Sequence, residues 1–358
     1  MYIYIHLPFC KHICSYCDFP KVLYNKKYIN NYLESLKDEI KERYKNEVVS
    51  SIFIGGGTPT SLDYYELERL LNITNVFNKS NDLEFTIESN VESLDKDKIK
   101  LLNSYNVNRV SLGVQSFDNN VLRELNRYHN KEQVFKVIDN LKKEGIYNVS
   151  IDLIYGVDNN MDIIKNDVKT FLELNIPHIS CYSLIIENNT VFGVNNRNYI
   201  DDNIEYEMYK YIEDTLIKNG YIHYEISNYA KDDYYSKHNV NYWNNGSYYG
   251  FGLGAVSYLN NYRISNTKNL SKYLNRDYFG DKIYEDESTR ISNSLILGLR
   301  KVKGINVSKF KERYNKDILS LYNIMDLVKE EKLLLNDNYL YINPKYYYLS
   351  NEILMNFV

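Results

Sequence analysis

The sequence predicts an α/β fold: an open, partial (β/α)6 barrel followed by a small C-terminal helical, winged-helix-like domain. Three observations carry this. Short β-branched runs alternate with longer amphipathic stretches up to about residue 225, which argues parallel strands joined by crossover helices. The run holds six such units, too few for a closed eight-fold barrel. From about residue 286 the pattern changes to three helices and a hairpin.

The strands are expected at residues 2–7, 51–54, 84–88, 109–113, 150–154 and 178–184. Helical patterns at 28–45, 64–72, 97–105, 131–144 and 163–174 lie between them, and another follows at 205–219. Residues 221–269 are less regular and carry HNVNYW and the glycine-rich YYGFGLGA. The last part reads as helices at 288–299, 307–314 and 320–329, then a hairpin turning at 336–338. The organisation expected is a core domain at 1–225, a connecting region at 226–285 and a helical domain at 286–358.

The first strand leads into PFCKHICSYCDF, with Cys10, Cys14 and Cys17. Three residues separate the first pair and two the second. Three thiolates on one tight loop suit three irons of a [4Fe–4S] cluster, leaving the fourth iron open to a small molecule. A zinc site needs two ligand pairs at other spacings. The only other cysteine, Cys181, sits in an apolar strand and reads as a small core residue.

Ligand sites in such sheets lie at the C-terminal strand ends, and the polar signals gather there. The second strand ends in Gly55-Gly56-Gly57, which lets backbone approach a ligand closely. The next three offer Glu88, Gln115 and Asp152, with Arg127 in a helix just past Gln115. Singly, each carboxylate reads as a helix cap. Together they suit a ligand with a carboxylate for Arg127 and hydroxyls or an ammonium for the acids.

The 358 residues allow one large domain and a smaller one, and the hydrophobic content of 44% suffices for a sizeable core. The formal charge of −4 gives no footprint for nucleic acid. No apolar run spans a bilayer, and the N-terminus lacks the features of a secretory signal. An unpaired cysteine cluster fits a reducing cytoplasm. The 38 tyrosines read as codon bias rather than as an aromatic cofactor box.

CxxxCxxC after the first strand, with Tyr16 before the third cysteine and a glycine motif after the second strand, resembles the radical S-adenosylmethionine superfamily. YIHLPFCKHICSYCDF, IFIGGGTPT, RVSLGVQSFDNNVLRELNRYH, SIDLIYG and HNVNYW resemble its coproporphyrinogen III dehydrogenase-like group, and within it the haem-chaperone branch, HemW. The resemblance spans the whole chain. It implies that Cys10, Cys14 and Cys17 ligate the cluster. It makes Tyr4, Tyr16, Gly55, Gly56, Gly57, Glu88, Gln115, Arg127 and Asp152 the S-adenosylmethionine-binding positions. It further implies haem as cargo, haem-acceptor proteins as partners and delivery at a membrane surface. His238, which opens HNVNYW beside the single tryptophan Trp243, is the candidate haem ligand. The alternative is oxygen-independent decarboxylation of coproporphyrinogen III. That branch has a further cysteine two residues after the third, where this chain has Phe19, so at most cleavage of S-adenosylmethionine is expected. Relatives often carry His where this chain has Val256, which removes a second candidate ligand. Of the other histidines, His6 reads as packing or chemistry, His12 as exposed, and His129 and His178 as surface or strand-end groups.

Overall fold

A computed structural model describes residues 1–358. Six parallel strands form its centre: β1 (Tyr2–Leu7), β2 (Val49–Gly56), β3 (Lys79–Asn90), β4 (Arg109–Gln115), β5 (Asn148–Tyr155) and β6 (His178–Ser183). They lie in chain order within one nine-stranded sheet, each register parallel to the last. Helices α1 (Lys26–Arg43), α2 (Tyr64–Ile73), α3 (Lys96–Ser104), α4 (Lys131–Lys143) and α5 (Met161–Leu174) form the crossovers, and α6 (Asp202–Lys218) follows β6. Local chemistry fixes their starts. Asp63 with Glu66 and Asn130 with Gln133 make reciprocal capping boxes on α2 and α4. β4 is buried along its whole length, as a strand covered on both faces must be.

Residues 226–285 do more than connect. β7 (Ile222–Glu225) and β8 (Asn228–Ala230) extend the sheet beyond β6, with β8 antiparallel to both neighbours. β9 (Tyr249–Phe251) adds a parallel strand on the other side of β1. The sheet therefore stays open, with β9 and β7 as its edges. The glycine-rich segment serves this packing: a Cβ on Gly250 would stand 2.0 Å from the Val256 carbonyl oxygen, and one on Gly252 2.3 Å from that of His6. Glu39 of α1, fully buried, fastens the segment by accepting from the Gly252 amide at 2.9 Å, the Tyr273 hydroxyl at 2.6 Å and Asn266 at 2.7 Å.

One hydrophobic cluster fills the sheet–helix interior, and a second gathers residues from Ile291 to Phe357. Around that second cluster lie the helices Glu287–Gly298, Val307–Tyr314, Ile324–Lys329 and Ser350–Leu354. A three-stranded antiparallel sheet accompanies them, in the order Ile305–Asn306, Tyr339–Ile342, Leu333–Asn336. The hairpin turns through Asp337 and Asn338, both at positive φ, the signature of a two-residue turn that follows strand twist. The helix expected from residue 320 begins at Ile324, after a separate turn of 3-10 helix at Ile318–Ser320. No helix is long and apolar enough to cross a membrane.

Candidate functional site

The cysteine loop springs from the end of β1 and is closed by a two-residue parallel bridge, Phe9–Cys10 against Val22–Leu23. Its far side is tied down by Asn126, which donates to the Ile13 carbonyl at 2.7 Å, and by the Ser15 amide, which donates to the Leu125 carbonyl at 3.2 Å. All three cysteines are free thiols. A four-iron cluster asks each thiolate for a different iron, so its sulfurs stand apart. A Cβ on Gly57 would fall 2.9 Å from Cys10 Sγ, so only glycine leaves this cradle open. Burial pushes the Cys10 thiol up to about 11 and raises Cys17 as well, which keeps both protonated until a metal displaces the protons.

Beside the loop opens a cavity of about 410 Å³ at the C-terminal strand ends. It gathers Cys10, Cys14, Cys17, Tyr16, Gly56, Gly57, Glu88, Gln115, Arg127 and Asp152. Gly55 lies against its floor: a Cβ there would stand 2.6 Å from a Glu88 carboxylate oxygen. Gly56 has φ +111°, which side chains rarely adopt, and its amide donates to Glu88 at 3.0 Å. Burial pushes the Glu88 carboxyl up to about 7, with Asp152 adding to the effect, and burial raises Asp152 too. Two carboxyls this deep, with few donors of their own, call for a ligand that brings donors. Gln115 holds φ +68° at a register shift between β4 and β5, a strained backbone at the cavity wall.

Arg127 is buried but lies in the loop beyond the helix Asn119–Glu124, not in a helix. The left-handed turn at Asn126 (φ 59°) carries the chain inward there. Its guanidinium donates to Asn90 at 2.8 Å, to the Gly113 carbonyl at 2.5 Å and to Cys14 Sγ at 3.6 Å, while Nε is left without a partner. Asn90 and Thr58 were not anticipated from sequence. Asn90 bridges Arg127 to the Thr58 hydroxyl at 3.2 Å, and that hydroxyl faces Cys10 Sγ at 3.8 Å. Asn90 follows Glu88 at the two-residue period that shares a strand face, and that was the available signal.

Tyr4 sits one layer deeper, in an adjoining cavity that shares Phe19, Glu88 and Asp152 with the first and also holds His238, Tyr242 and Val256. Its hydroxyl meets His6 Nδ1 at 3.0 Å, and His6 Nε2 meets the Pro20 carbonyl at 2.8 Å. His6 is thus a packed, bonded group.

His238 does not stand free as a haem ligand. Helix α7 (Lys237–Trp243) contains HNVNYW, and its first amides, of Lys237 and His238, sit on the two oxygens of Glu84 at 2.9 and 3.0 Å. The imidazole is 1% exposed, with Nδ1 on the Ser51 hydroxyl at 3.0 Å and Nε2 on the Tyr242 hydroxyl at 2.8 Å. Burial drives its pKa down to about 3, so it is neutral. These bonds tie the motif's histidine to β2 and to Tyr242 of its own helix, and its ring also lines the adjoining cavity. His129 and His178 are also buried, not surface groups; His178 bonds Ser150 and Tyr224, both at 2.7 Å. His12 is exposed and Cys181 is in the core.

The family model for the radical SAM superfamily matches residues 4–171. The chain is 40% identical to the heme chaperone HemW of Lactococcus lactis, over 99% of this chain and 96% of that protein. The chain belongs to the HemW family of the radical SAM superfamily. It is also 34% identical to the heme chaperone HemW of Bacillus subtilis, over 98% of this chain and 97% of the other. In fold it matches the solved coproporphyrinogen III oxidase (HemN) from Escherichia coli, with a TM-score of 0.86 and 22% identity over 99% of this chain and 89% of that one. Membership of the radical SAM superfamily implies a [4Fe–4S] cluster and S-adenosylmethionine.

Proposed function

We propose that this chain binds haem and hands it to acceptor proteins, with a [4Fe–4S] cluster on Cys10, Cys14 and Cys17 and S-adenosylmethionine in the cavity beside it. One observation separates this reading from the decarboxylase: Phe19, 60% exposed, lines the cavity mouth where the dehydrogenase branch carries its further cysteine. An apolar ring there offers no thiol to coordinate metal or take part in radical transfer. Arg127 would pair with the ligand's carboxylate, Glu88 and Asp152 would accept from its donors, and the Gly55–Gly57 backbone would follow its contour. When bound, the cluster supplies the electron for reductive cleavage of S-adenosylmethionine; the protein orients the ligand and excludes water. Cytoplasmic residence belongs to the same proposal and rests on the reducing environment such thiols need; transfer at a membrane surface rests on the resemblance to the haem-chaperone family alone.

The test is anaerobic reconstitution followed by two assays. Haem added at micromolar concentration is expected to shift its Soret band, and coproporphyrinogen III is expected to persist when S-adenosylmethionine and a reductant are supplied. Conversion to protoporphyrinogen IX at about one turnover per second or faster would make the chain a dehydrogenase instead.

A further inference from the structure

A cleft of about 730 Å³ lies away from the barrel mouth, between the β7 edge with α7 and the C-terminal domain. Its volume falls within the roughly 300–1,000 Å³ usual for small-molecule sites. Four cations line it, Lys301, Lys303, Lys309 and Arg313, and no carboxylate does. That is unusual for a chain whose formal charge is −4. Resting on the haem-carrying reading above, we propose that this cleft is the haem site, with the macrocycle against its aromatic wall and the two propionates toward the cations.

The wall is built for a flat apolar face. Tyr224 and Tyr235 stack at 4.4 Å with 12° between their planes, and Trp243 lies beside them with its buried indole N–H unpartnered. Phe310 and Tyr339 enter from the C-terminal domain. Offset aromatic contact and apolar burial favour a large π-system there. The cations are under mutual repulsion: burial, with Lys309 and Lys303 adding, pushes the Lys301 ammonium down to about 8. Two carboxylates of a ligand would relieve that repulsion, and Arg313 is already positioned by the carbonyls of Asn244 and Asn245 at 3.0 and 2.9 Å. The cleft also accounts for the tryptophan of HNVNYW. One face of α7 seals the barrel through His238, and Trp243 joins the cleft.

The experiment titrates the reconstituted full chain with haemin, free protoporphyrin IX and protoporphyrin dimethyl ester. Lys303 and Lys309 are exposed, so the double variant Lys303→Glu/Lys309→Glu should fold normally. It is expected to bind haemin and protoporphyrin at least about tenfold more weakly, with iron content and S-adenosylmethionine affinity unchanged. Lys303→Arg/Lys309→Arg should restore binding, and the dimethyl ester should bind the wild type as poorly as the diacid binds the charge-reversed variant. Trp243→Leu should weaken all three ligands. Undiminished haemin binding by the charge-reversed variant overturns the cleft while haem carriage stands. Absence of haemin binding by the wild type overturns both.

Discussion

The barrel mouth and helix α7 are both rich in polar side chains, and they treat them in opposite ways. At the mouth the protein leaves its polar groups short of partners: Glu88 and Asp152 are held in a raised-pKa state by burial, and Arg127 Nε has no acceptor. In α7 the polar groups close on one another. Glu84 caps the helix, and His238 spans Ser51 and Tyr242 with both nitrogens. A buried polar group costs free energy unless it is hydrogen-bonded. The mouth is therefore unfinished without ligands, while the Glu84–His238 end of the helix is complete and only the Trp243 indole N–H at its far end lacks a partner. Motif residues in the two places look alike in a sequence, and only the bonding state distinguishes a binding group from a fastening.

The comparison can be broken most decisively at the thiols. Replacing Cys10, Cys14 or Cys17 by Ala is expected to abolish the roughly four irons per chain of a [4Fe–4S] cluster, measured by iron and sulfide analysis. Cys181→Ala, in the core, should retain them. Next comes Arg127→Met, which removes the mouth's unfinished cation. S-adenosylmethionine affinity should fall by roughly 10–150-fold, the range for losing a charged hydrogen bond, with cluster content preserved; equilibrium dialysis under anaerobic conditions reads both. An unchanged affinity would show Arg127 to be a fastening like His238.

On the helix side, Glu84→Ala leaves two amides of α7 uncapped and should cost about 1–2 kcal/mol of stability by chemical denaturation, without altering S-adenosylmethionine binding.

A further effect concerns pH. His238 stays neutral in the fold down to about 3, but the unfolded chain protonates it near 6.5. The unfolded state therefore binds more protons between these values, and this group's contribution to stability is lost as pH falls from 6.5 toward 3. His238→Gln should remove about one proton's worth of slope, roughly 1.4 kcal/mol per pH unit. The comparison is made variant against wild type, because Asp167 and Glu225, raised by burial to about 7 and about 8, give the opposite slope from about 4 upward, across much of the same range.

The six central units were legible because each buried strand is a run of β-branched residues set against helices of clear periodicity. β9 was not, since a three-residue strand containing Gly250 has no period to read and is defined by its partner β1. β8 pairs through similarly short runs. The mouth residues were legible because parallel topology sends every strand end to one side, so spacing alone brought Cys14, Glu88 and Asp152 together. His129 and His178 are buried where surface groups were expected, because a histidine's state depends on distant partners: Tyr224 lies 46 residues from His178 in the chain. Ser51 lies 187 residues from His238 in the chain, and no local pattern announces it. The interdomain cleft was invisible for the same cause, its cations and aromatic wall coming from separate parts of the chain.

The account stands on the claim that the mouth is an S-adenosylmethionine site with one iron open to it. The most direct measurement is the electron paramagnetic resonance spectrum of the dithionite-reduced, reconstituted protein, with and without S-adenosylmethionine. A saturable change in the cluster's g-values on adding the ligand, absent in Arg127→Met at the same concentration, is the expected result. A spectrum from intact cluster that S-adenosylmethionine leaves unaltered at millimolar concentration would contradict it.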